Sequence, residues 1–273
     1  MNEMRAVEQL DTHLHTRGPI VGDAFGMHLV DGLHQERPVL AFVECSDGRL
    51  APMAAAHWLG DERSWPPAIR ALLDSARGRV LDVGAGGGRH ASYLVRHGLH
   101  VTALDTSPLS IEACRRRGVP EQVLGDVKDV QRLFRESPPF QTVLLLGHNV
   151  GLLESAEHGR HVLRQLHAVT TDDAEILAEG RPPGMASDEE REYAEWNRAS
   201  GRLQGEALIR VRYRTTATSW FRYLFCDSSE LAEIAACAGW KVSKLAHFNY
   251  AMDPPDSTKS YAAVLTKATP AYR

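Results

Sequence analysis

The chain has 273 residues, of which 43% are hydrophobic and 24% are charged, and its formal net charge is −4. A chain of this length buries enough apolar surface for one α/β domain or two small ones. Its slightly acidic balance argues against binding of nucleic acid or anionic lipid through bulk charge, so neither is expected as a partner.

The N-terminal stretch MNEMRAVEQL is polar and carries acids early, unlike a secretory signal. No stretch approaches the roughly 18 continuous apolar residues of a membrane span. The four cysteines lie far apart without a CxxC pair, which is typical of reduced structural thiols. His13 and His15 could form a metal pair, but no further ligand follows at suitable spacing. We therefore expect a cytoplasmic protein with no metal site and no membrane segment.

Residues 1–78 are predicted to form an N-terminal cap. An amphipathic stretch around residues 21–33 indicates a helix, and VLAFVE before Asp47-Gly48 indicates a β-hairpin. A second helix is predicted after Pro67. Four side chains of the cap are expected to close a site from one side, namely Phe25, His57, Trp58 and Trp65.

Five short apolar runs follow, separated by helical patterns. They are RVLDVG (79–84), HVTALD (100–105), EQVLGD (121–126), FQTVLLLG (140–147) and AEILAEG (174–180). Runs that are apolar on both faces and alternate with helices predict parallel strands joined by crossover helices.

The alternation breaks over residues 181–226, which we interpret as an inserted segment. Its second half predicts a hairpin with strands near 206–214 and 218–225. In RVRYR, three arginines share one strand face and either clamp an anionic substrate group or face solvent: Arg210, Arg212 and Arg214. Residues 227–273 then predict a helix capped by Ser228 or Ser229 and two final strands.

The turn after the first apolar run is rich in glycine and reads DVGAGGGRH. A dinucleotide site needs G-x-G-x-x-G to hold a pyrophosphate, and Arg89 occupies the third required position. No G-K-[ST] follows, so the turn is not a P-loop either. The match is to D-x-G-x-G-x-G, with Asp82 ahead of Gly84, Gly86 and Gly88. An acid at this position repels phosphate but suits a ligand that carries an ammonium or sulfonium charge.

With this loop the chain resembles the class I S-adenosylmethionine-dependent methyltransferases, over roughly residues 75–180 and 227–267. Asp105 ends the second run, and the resemblance implies that its carboxylate accepts the ribose hydroxyls. Asp126, after the third run, is implied to accept the adenine amino group. The cofactor residues expected on this basis are Asp82, Gly84, Ala85, Gly86, Gly88, Asp105, Thr106, Asp126, Val127 and Gly147.

The resemblance also implies the architecture. We expect an α/β fold with a Rossmann-like, doubly wound sheet of seven strands, the last of them antiparallel. An N-terminal cap and an inserted β-hairpin lid are added to it. The whole is expected to be one globular domain with four segments: a cap (1–78), a cofactor-binding core (79–180), the insert (181–226) and the completion of the core (227–273).

Methyl transfer requires alignment of a nucleophile with the methyl group and, for some acceptors, removal of a proton. The fourth run is followed by GHN rather than [ND]-P-P-[YF], which disfavours a DNA-adenine or glutamine methyltransferase. No acid stands there to bind magnesium. His148 is the candidate general base, and the alternative is that it only packs against the cofactor or hydrogen-bonds a backbone carbonyl. The candidate substrate contacts are Asn149, which could instead cap the next segment, Glu179 and Trp220.

We therefore expect a methyl transfer from S-adenosylmethionine to an oxygen, nitrogen or carbon atom of a small molecule. The cap, the lid and a composition rich in alanine and arginine resemble bacterial methyltransferases of specialised metabolism. The alternatives are another sulfonium reaction on the same fold, a nicotinamide dehydrogenase and a non-catalytic cofactor-binding module. The oligomeric state stays open, with a homodimer as one possibility.

Overall fold

The computed structural model describes residues 18–35, 37–184, 187–251 and 259–268. His13 and His15, considered above as a metal pair, lie outside these ranges. The strands are β1 (Ile20–Val21), β2 (Leu40–Cys45), β3 (Leu50–Ala54), β4 (Arg79–Val83), β5 (His100–Asp105), β6 (Glu121–Leu124), β7 (Phe140–Leu145), β8 (Thr170–Gly180), β9 (Glu206–Tyr213), β10 (Thr216–Ala217), β11 (Phe221–Leu224), β12 (Trp240–Phe248) and β13 (Ser260–Lys267). The helices are α1 (Ala24–His34), α2 (Ala55–Leu59), α3 (Pro67–Asp74), α4 (Arg89–Arg96), α5 (Pro108–Arg116), α6 (Val130–Leu133), α7 (Ala156–Ala168), α8 (Asp188–Ala199) and α9 (Ser228–Ala236). Short 3₁₀ turns cover Glu62–Ser64, Val127–Asp129 and Asn149–Leu153.

The larger sheet has seven strands in the order β12-β13-β8-β7-β4-β5-β6. The strands from β8 to β6 are parallel, and β13 runs antiparallel to both of its neighbours. The chain order reverses between β4 and β7, and such a switch point is where open α/β sheets bind ligands. The predicted doubly wound sheet with an antiparallel last strand is thus confirmed.

Helices cover both faces of this sheet, which explains why its strands are apolar on both sides. On one face, Ile69 of α3, Leu94 of α4 and Cys114 of α5 belong to one buried cluster. On the other face, Leu163 of α7 and Leu231 of α9 belong to a second cluster. The sheet is therefore a rigid platform whose strand ends are held in register.

The helix α9 begins earlier than its sequence predicted. Its N-cap is Asp227 rather than Ser228 or Ser229. The Asp227 carboxylate accepts the N–H groups of Ser229 and Glu230, and Glu230 reaches back to the Asp227 N–H. This reciprocal capping box satisfies more helix N–H groups than a serine hydroxyl could alone.

A second sheet joins the cap to the insert. Its order is β1-β10-β9-β2-β3, and β11 pairs with the same edge of β9 as β10 does. The cap strand β2 pairs with the insert strand β9, with Phe42 opposite Arg212 and Glu44 opposite Arg210. Helix α1 packs against the inner face of this sheet through Ala24. Two segments that are far apart in the sequence therefore form one structural unit.

The arginine row of the insert is occupied by partners from the cap. Arg210 and Arg212 both reach Glu44, at 2.7 and 3.5 Å, and Arg214 reaches Asp31 at 2.8 Å. The row therefore joins the insert to the cap. It lies on the more exposed face of the sheet, where the Arg214 side chain is 58% exposed, in agreement with the predicted solvated face.

Three further observations concern the described residues as a set. No helix among them is long and apolar enough to cross a lipid bilayer. Their His, Cys, Asp and Glu side chains form no group of three or more that could hold a metal ion. All four cysteines are described and are free thiols, as the sequence predicted.

Candidate active site

The predicted site residues follow the carboxyl ends of the parallel strands. Neighbouring strands in the order β8, β7, β4, β5, β6 place these ends in one row. Glu179 stands at one end of the row, the glycine loop after β4 is in the middle, and Asp105 and Asp126 lie toward the other end. The row crosses the switch point between β4 and β7.

The backbone of the glycine loop adopts the left-handed conformation at three positions, which favours glycine over residues with side chains. The φ angles of 65°, 54° and 70° belong to Gly84, Gly86 and Gly88. The N–H groups of Gly84 and Ala85 donate to Leu104 O, and the Gly86 N–H donates to Asp105 Oδ2. A pyrophosphate site presents such groups to its ligand. These three N–H groups are already satisfied by the protein, so the loop is not built as an anion cradle.

Two carboxyl groups are buried beside this loop. Asp82 is 2% exposed, and its Oδ2 has no hydrogen-bond partner among the described residues. Burial and the charge of Asp105 raise the pKa of Asp82 to about 7. Burial also raises the pKa of Asp105 to about 6, against the opposing effect of the Ser107 and Gly86 N–H groups. A buried acceptor without a partner indicates a ligand that donates to it. The two carboxyl groups therefore fit a ligand that carries cationic and hydroxyl groups, such as S-adenosylmethionine.

The cap reaches this part of the site through Asp23. Its carboxylate caps the N-terminus of α1 and also accepts from Ser107 Oγ at 2.7 Å and Leu109 N at 3.0 Å. One side chain thus caps both α1 and α5. The adjacent Phe25 covers Gly86, where an added methyl group would lie 3.6 Å from its ring. Helix α1 therefore lies over the glycine loop.

The far end of the row is more open. Asp126 begins a 3₁₀ turn, where its Oδ1 accepts from Lys128 N at 3.0 Å and its Oδ2 pairs with Lys128 Nζ at 2.9 Å. Val127 is buried, and Thr106 is exposed next to Asp105. The side chains of Asp126 and Thr106 are accordingly accessible to a ligand that extends from Asp105.

The turn after β7 has an unusual backbone. Gly147 and His148 have φ angles of 75° and 62°. The left-handed region is uncommon for a histidine and marks a position that its surroundings determine. The side-chain amide of Asn149 donates to Val83 O at 2.7 Å and to Gly84 O at 2.8 Å. This amide ties the turn to the glycine loop. Asn149 does not cap the segment Asn149–Leu153, whose N-cap is His148.

Glu179 organises the same end of the row. It is fully buried and accepts from Gly147 N at 2.7 Å and from the Tyr250 hydroxyl at 2.5 Å, and His148 Nε2 lies 3.5 Å from its Oε1. Burial acts to raise the pKa of Glu179. The charges of His148 and Arg89 and the two hydrogen bonds outweigh this effect, so its pKa is lowered. Glu179 is thus an anion that stabilises positive charge on the His148 ring.

Arg89 and Tyr250 complete this group, and neither was predicted from the sequence to belong to it. Arg89 is 5% exposed, donates to His57 O at 2.6 Å and lies 5.5 Å from the Trp58 ring. The Tyr250 ring packs 4.9 Å from the His57 ring. The position of Arg89 directly after the glycine loop was a usable signal. Tyr250 follows β12 in a connecting segment whose sequence gives none.

Two aromatic residues predicted to line the site lie elsewhere. Trp65 is buried in the core, where its ring packs 5.0 Å from that of His90. Trp220 is 39% exposed, and its ring lies 4.5 Å from the guanidinium of Arg210. The predicted substrate contact of Trp220 is therefore corrected. Strand alternation places it on the outer face of the smaller sheet, with the ion pair of Arg210 and Glu44, rather than at the strand ends.

Comparison with known proteins agrees with this geometry. The family model described as a methyltransferase domain matches residues 80–173. A solved S-adenosylmethionine-dependent methyltransferase from Bacteroides fragilis, in complex with S-adenosyl-L-homocysteine, has a TM-score of 0.72 and 26% identity, over 90% of this chain and 95% of that chain. One from Methanosarcina mazei has the same fold, with a TM-score of 0.57 and 13% identity, over 75% of this chain and 99% of that chain.

Among curated proteins, the ubiquinone biosynthesis O-methyltransferase of Xylella fastidiosa (strain M23) is 40% identical over 95 residues, which is 34% of this chain. The match covers 38% of that protein's length. The similarity to this relative is thus confined to a part of each chain.

Residues 80–173 carry a methyltransferase domain, and the sheet order, the glycine loop and the similarity to the Bacteroides structure all support a class I S-adenosylmethionine-dependent methyltransferase. The resemblance found in the sequence is confirmed. The cofactor is S-adenosylmethionine.

Proposed function

We propose that the protein transfers the methyl group of S-adenosylmethionine to a hydroxyl group of a small organic molecule. The observation that carries this proposal is the pairing of His148 Nε2 with the buried Glu179 carboxylate, at 3.5 Å. A histidine supported by an anion suits an acceptor that must lose a proton as it is methylated. When bound, the cofactor supplies a methyl group already activated on a sulfonium.

His148 is the general base in this proposal. Its Nε2 faces Glu179, and the imidazole takes the proton of the acceptor. The resulting imidazolium is stabilised by the Glu179 carboxylate, whose own charge is favoured by Tyr250 and the Gly147 N–H. The side chain of His148 is 18% exposed, which leaves it within reach of an acceptor.

The cofactor is held along the row of strand ends. Asp82 would receive its cationic amino group, Asp105 its ribose hydroxyls and Asp126 its adenine amino group. The unpartnered Oδ2 of Asp82 and the covering position of Phe25 support this assignment. The remaining contacts proposed are backbone and apolar ones from Gly84, Ala85, Gly86, Gly88, Thr106, Val127 and Gly147.

The cap and the insert together form the acceptor side of the enzyme in this proposal. Residues 1–78 and 181–226 would bind the acceptor over a core made of residues 79–180 and 227–273. Their shared sheet supports this division, as does the position of Trp58, whose ring would lie 3.3 Å from a methyl group added at Gly147. Aromatic walls with few polar groups suit a small organic acceptor.

An oxygen acceptor is supported by the curated relatives, which are named as O-methyltransferases. We include a role in bacterial specialised metabolism and a cytoplasmic location in the proposal. The free thiols fit a reducing compartment. We also propose that the protein is a homodimer. Light scattering of the purified protein measures its oligomeric state directly.

The replacement of His148 by alanine tests the base. We expect kcat to fall by about 100-fold or more, with the Kd for S-adenosylmethionine unchanged within about twofold in calorimetry. His158→Ala is the matched control, because His158 also faces a glutamate, Glu154, at 3.6 Å. Its turnover should equal that of the wild type. Wild-type turnover in His148→Ala would remove the base from the proposal.

The same assays separate the alternative functions. A methyltransferase releases S-adenosylhomocysteine and a product heavier by one methylene unit. Another sulfonium reaction gives a different product mass, and a binding module shows affinity for the cofactor without any turnover.

A further inference from the structure

The backbone of His148 is held by hydrogen bonds of both neighbouring residues and by bonds to its own carbonyl oxygen. Gly147 before it donates its N–H to Glu179, and Asn149 after it donates its amide to the glycine loop. The His148 carbonyl oxygen accepts from Gly151 N at 2.9 Å and from the Tyr223 hydroxyl at 2.6 Å. These contacts explain how a residue with a side chain keeps a φ of 62°.

Tyr223 is the contact among these that comes from the insert. It lies on β11, opposite Ala207 of β9. Its ring packs directly on Gly151, where an added methyl group would lie 2.0 Å from the Tyr223 Cζ. Burial and the charge of Glu179 raise the pKa of Tyr223, so the phenol keeps the proton that it donates.

We propose that Tyr223 is a positioning residue for methyl transfer, which rests on the proposed role of His148 as the base. Its hydroxyl holds the His148 carbonyl and so maintains the left-handed backbone that directs the imidazole toward Glu179. The inserted hairpin therefore helps to position the base, which is aligned only when β11 is packed against the turn after β7. Small displacements of a reacting group lower rates strongly, so one hydrogen bond can control turnover here.

Tyr223→Phe tests this inference by removing one oxygen atom while the ring stays on Gly151. We expect kcat to fall by about 10- to 100-fold, with little change in the KM of the acceptor or in the Kd of the cofactor. Tyr213→Phe is the matched control. It removes the same atom from the same sheet, where the Tyr213 hydroxyl donates to Asp31 at 2.7 Å. Its kcat should remain that of the wild type.

The double variant Tyr223→Phe/His148→Ala tests whether Tyr223 affects kcat through His148. If Tyr223 acts through His148, then Tyr223→Phe lowers kcat in the wild type but not in His148→Ala, both measured in single turnover. An equal loss in both backgrounds, or no loss in the wild type, overturns the inference. The His148→Ala variant alone reports on the base itself, so failure of the proposed function is recognised separately.

A spectroscopic measurement covers the case in which His148→Ala has no measurable turnover. The His148 ring signal in a histidine-labelled sample is identified by its loss in His148→Ala. We expect this signal to shift in Tyr223→Phe and to stay unchanged in Tyr213→Phe. A His148 signal that is identical in Tyr223→Phe and in the wild type would refute the positioning role.

Discussion

The two sheets of this enzyme are assembled from the chain in opposite ways. Five parallel strands of the larger sheet follow one another between Arg79 and Gly180, and helices cover both of its faces. The smaller sheet draws β1 to β3 from the cap and β9 to β11 from the insert, and one of its faces carries exposed apolar side chains such as Phe42. In our proposal, the strand ends of the larger sheet bind the cofactor and carry His148 and Glu179. The smaller sheet supplies Tyr223, which contacts the turn that carries His148.

The same substitution in each sheet measures how far they differ in stability. Ile176→Ala in β8 opens a cavity in a fully buried core and should cost about 4 kcal/mol. Ile209 in β9 is 5% exposed and lies in a sheet that is covered on one face only. Ile209→Ala should therefore lower the free energy of unfolding by about 2 kcal/mol. Urea unfolding followed by circular dichroism gives both values. Equal losses in one shared transition would show that the two sheets unfold as a single unit.

The pKa values of carboxyl groups at the two sheets are shifted in opposite directions. Burial raises the pKa values of Asp82 and Asp105 to about 7 and about 6, whereas the hydrogen bond from Arg210 lowers the pKa of Glu44. Because the cofactor is cationic, it binds the ionised carboxylates better. We expect its Kd to tighten about tenfold between pH 6 and pH 8, measured by calorimetry.

Without cofactor, the same groups act on stability in the other direction. The unfolded chain ionises Asp82 at its ordinary pKa, so the folded state holds the extra proton between about pH 4 and pH 7. The apo-enzyme should therefore lose stability as pH rises through this window. Glu44 contributes stability that is lost only as pH falls through its lowered pKa. Asp82→Asn should flatten the pH dependence of cofactor binding, and Glu44→Gln should leave it intact.

The smallest effect expected is the coupling between the two segments of the smaller sheet. Arg210 and Glu44 are 18% and 17% exposed and make two hydrogen bonds. A double-mutant cycle of Arg210→Ala and Glu44→Ala should give a coupling energy of about 1 kcal/mol. A coupling near zero would mean that strand pairing alone joins the cap to the insert.

Most of the larger sheet could be predicted from the sequence because its signals are local. Each parallel strand contains a short apolar stretch, and Asp82 and Asp105 stand near the ends of two of them. The pairing of β2 with β9 has no such signal, since Glu44 and Arg210 are recognised as partners only in space. Trp220 shows the same limit, because alternation tells which side chains share a strand face but not which face meets the site.

The catalytic end was predictable in part. His148 could be proposed because it follows an apolar run, and Glu179 because it stands at the end of another. Tyr223 and Tyr250 could not, since their roles come from hydroxyl groups that reach across the fold to His148 O and Glu179. Contacts of this kind depend on how separate elements dock, and no periodicity in the chain encodes that.

The distance along the chain between Glu44 and Arg210, 166 residues, has a consequence for synthesis on the ribosome. The hairpin of β2 and β3 leaves the ribosome early, and a two-stranded hairpin alone is only marginally stable. At typical translation rates it must wait about ten to thirty seconds for β9. During that time its edge stays unpaired, and the smaller sheet is completed only after strands β4 to β8 of the larger sheet have been synthesised.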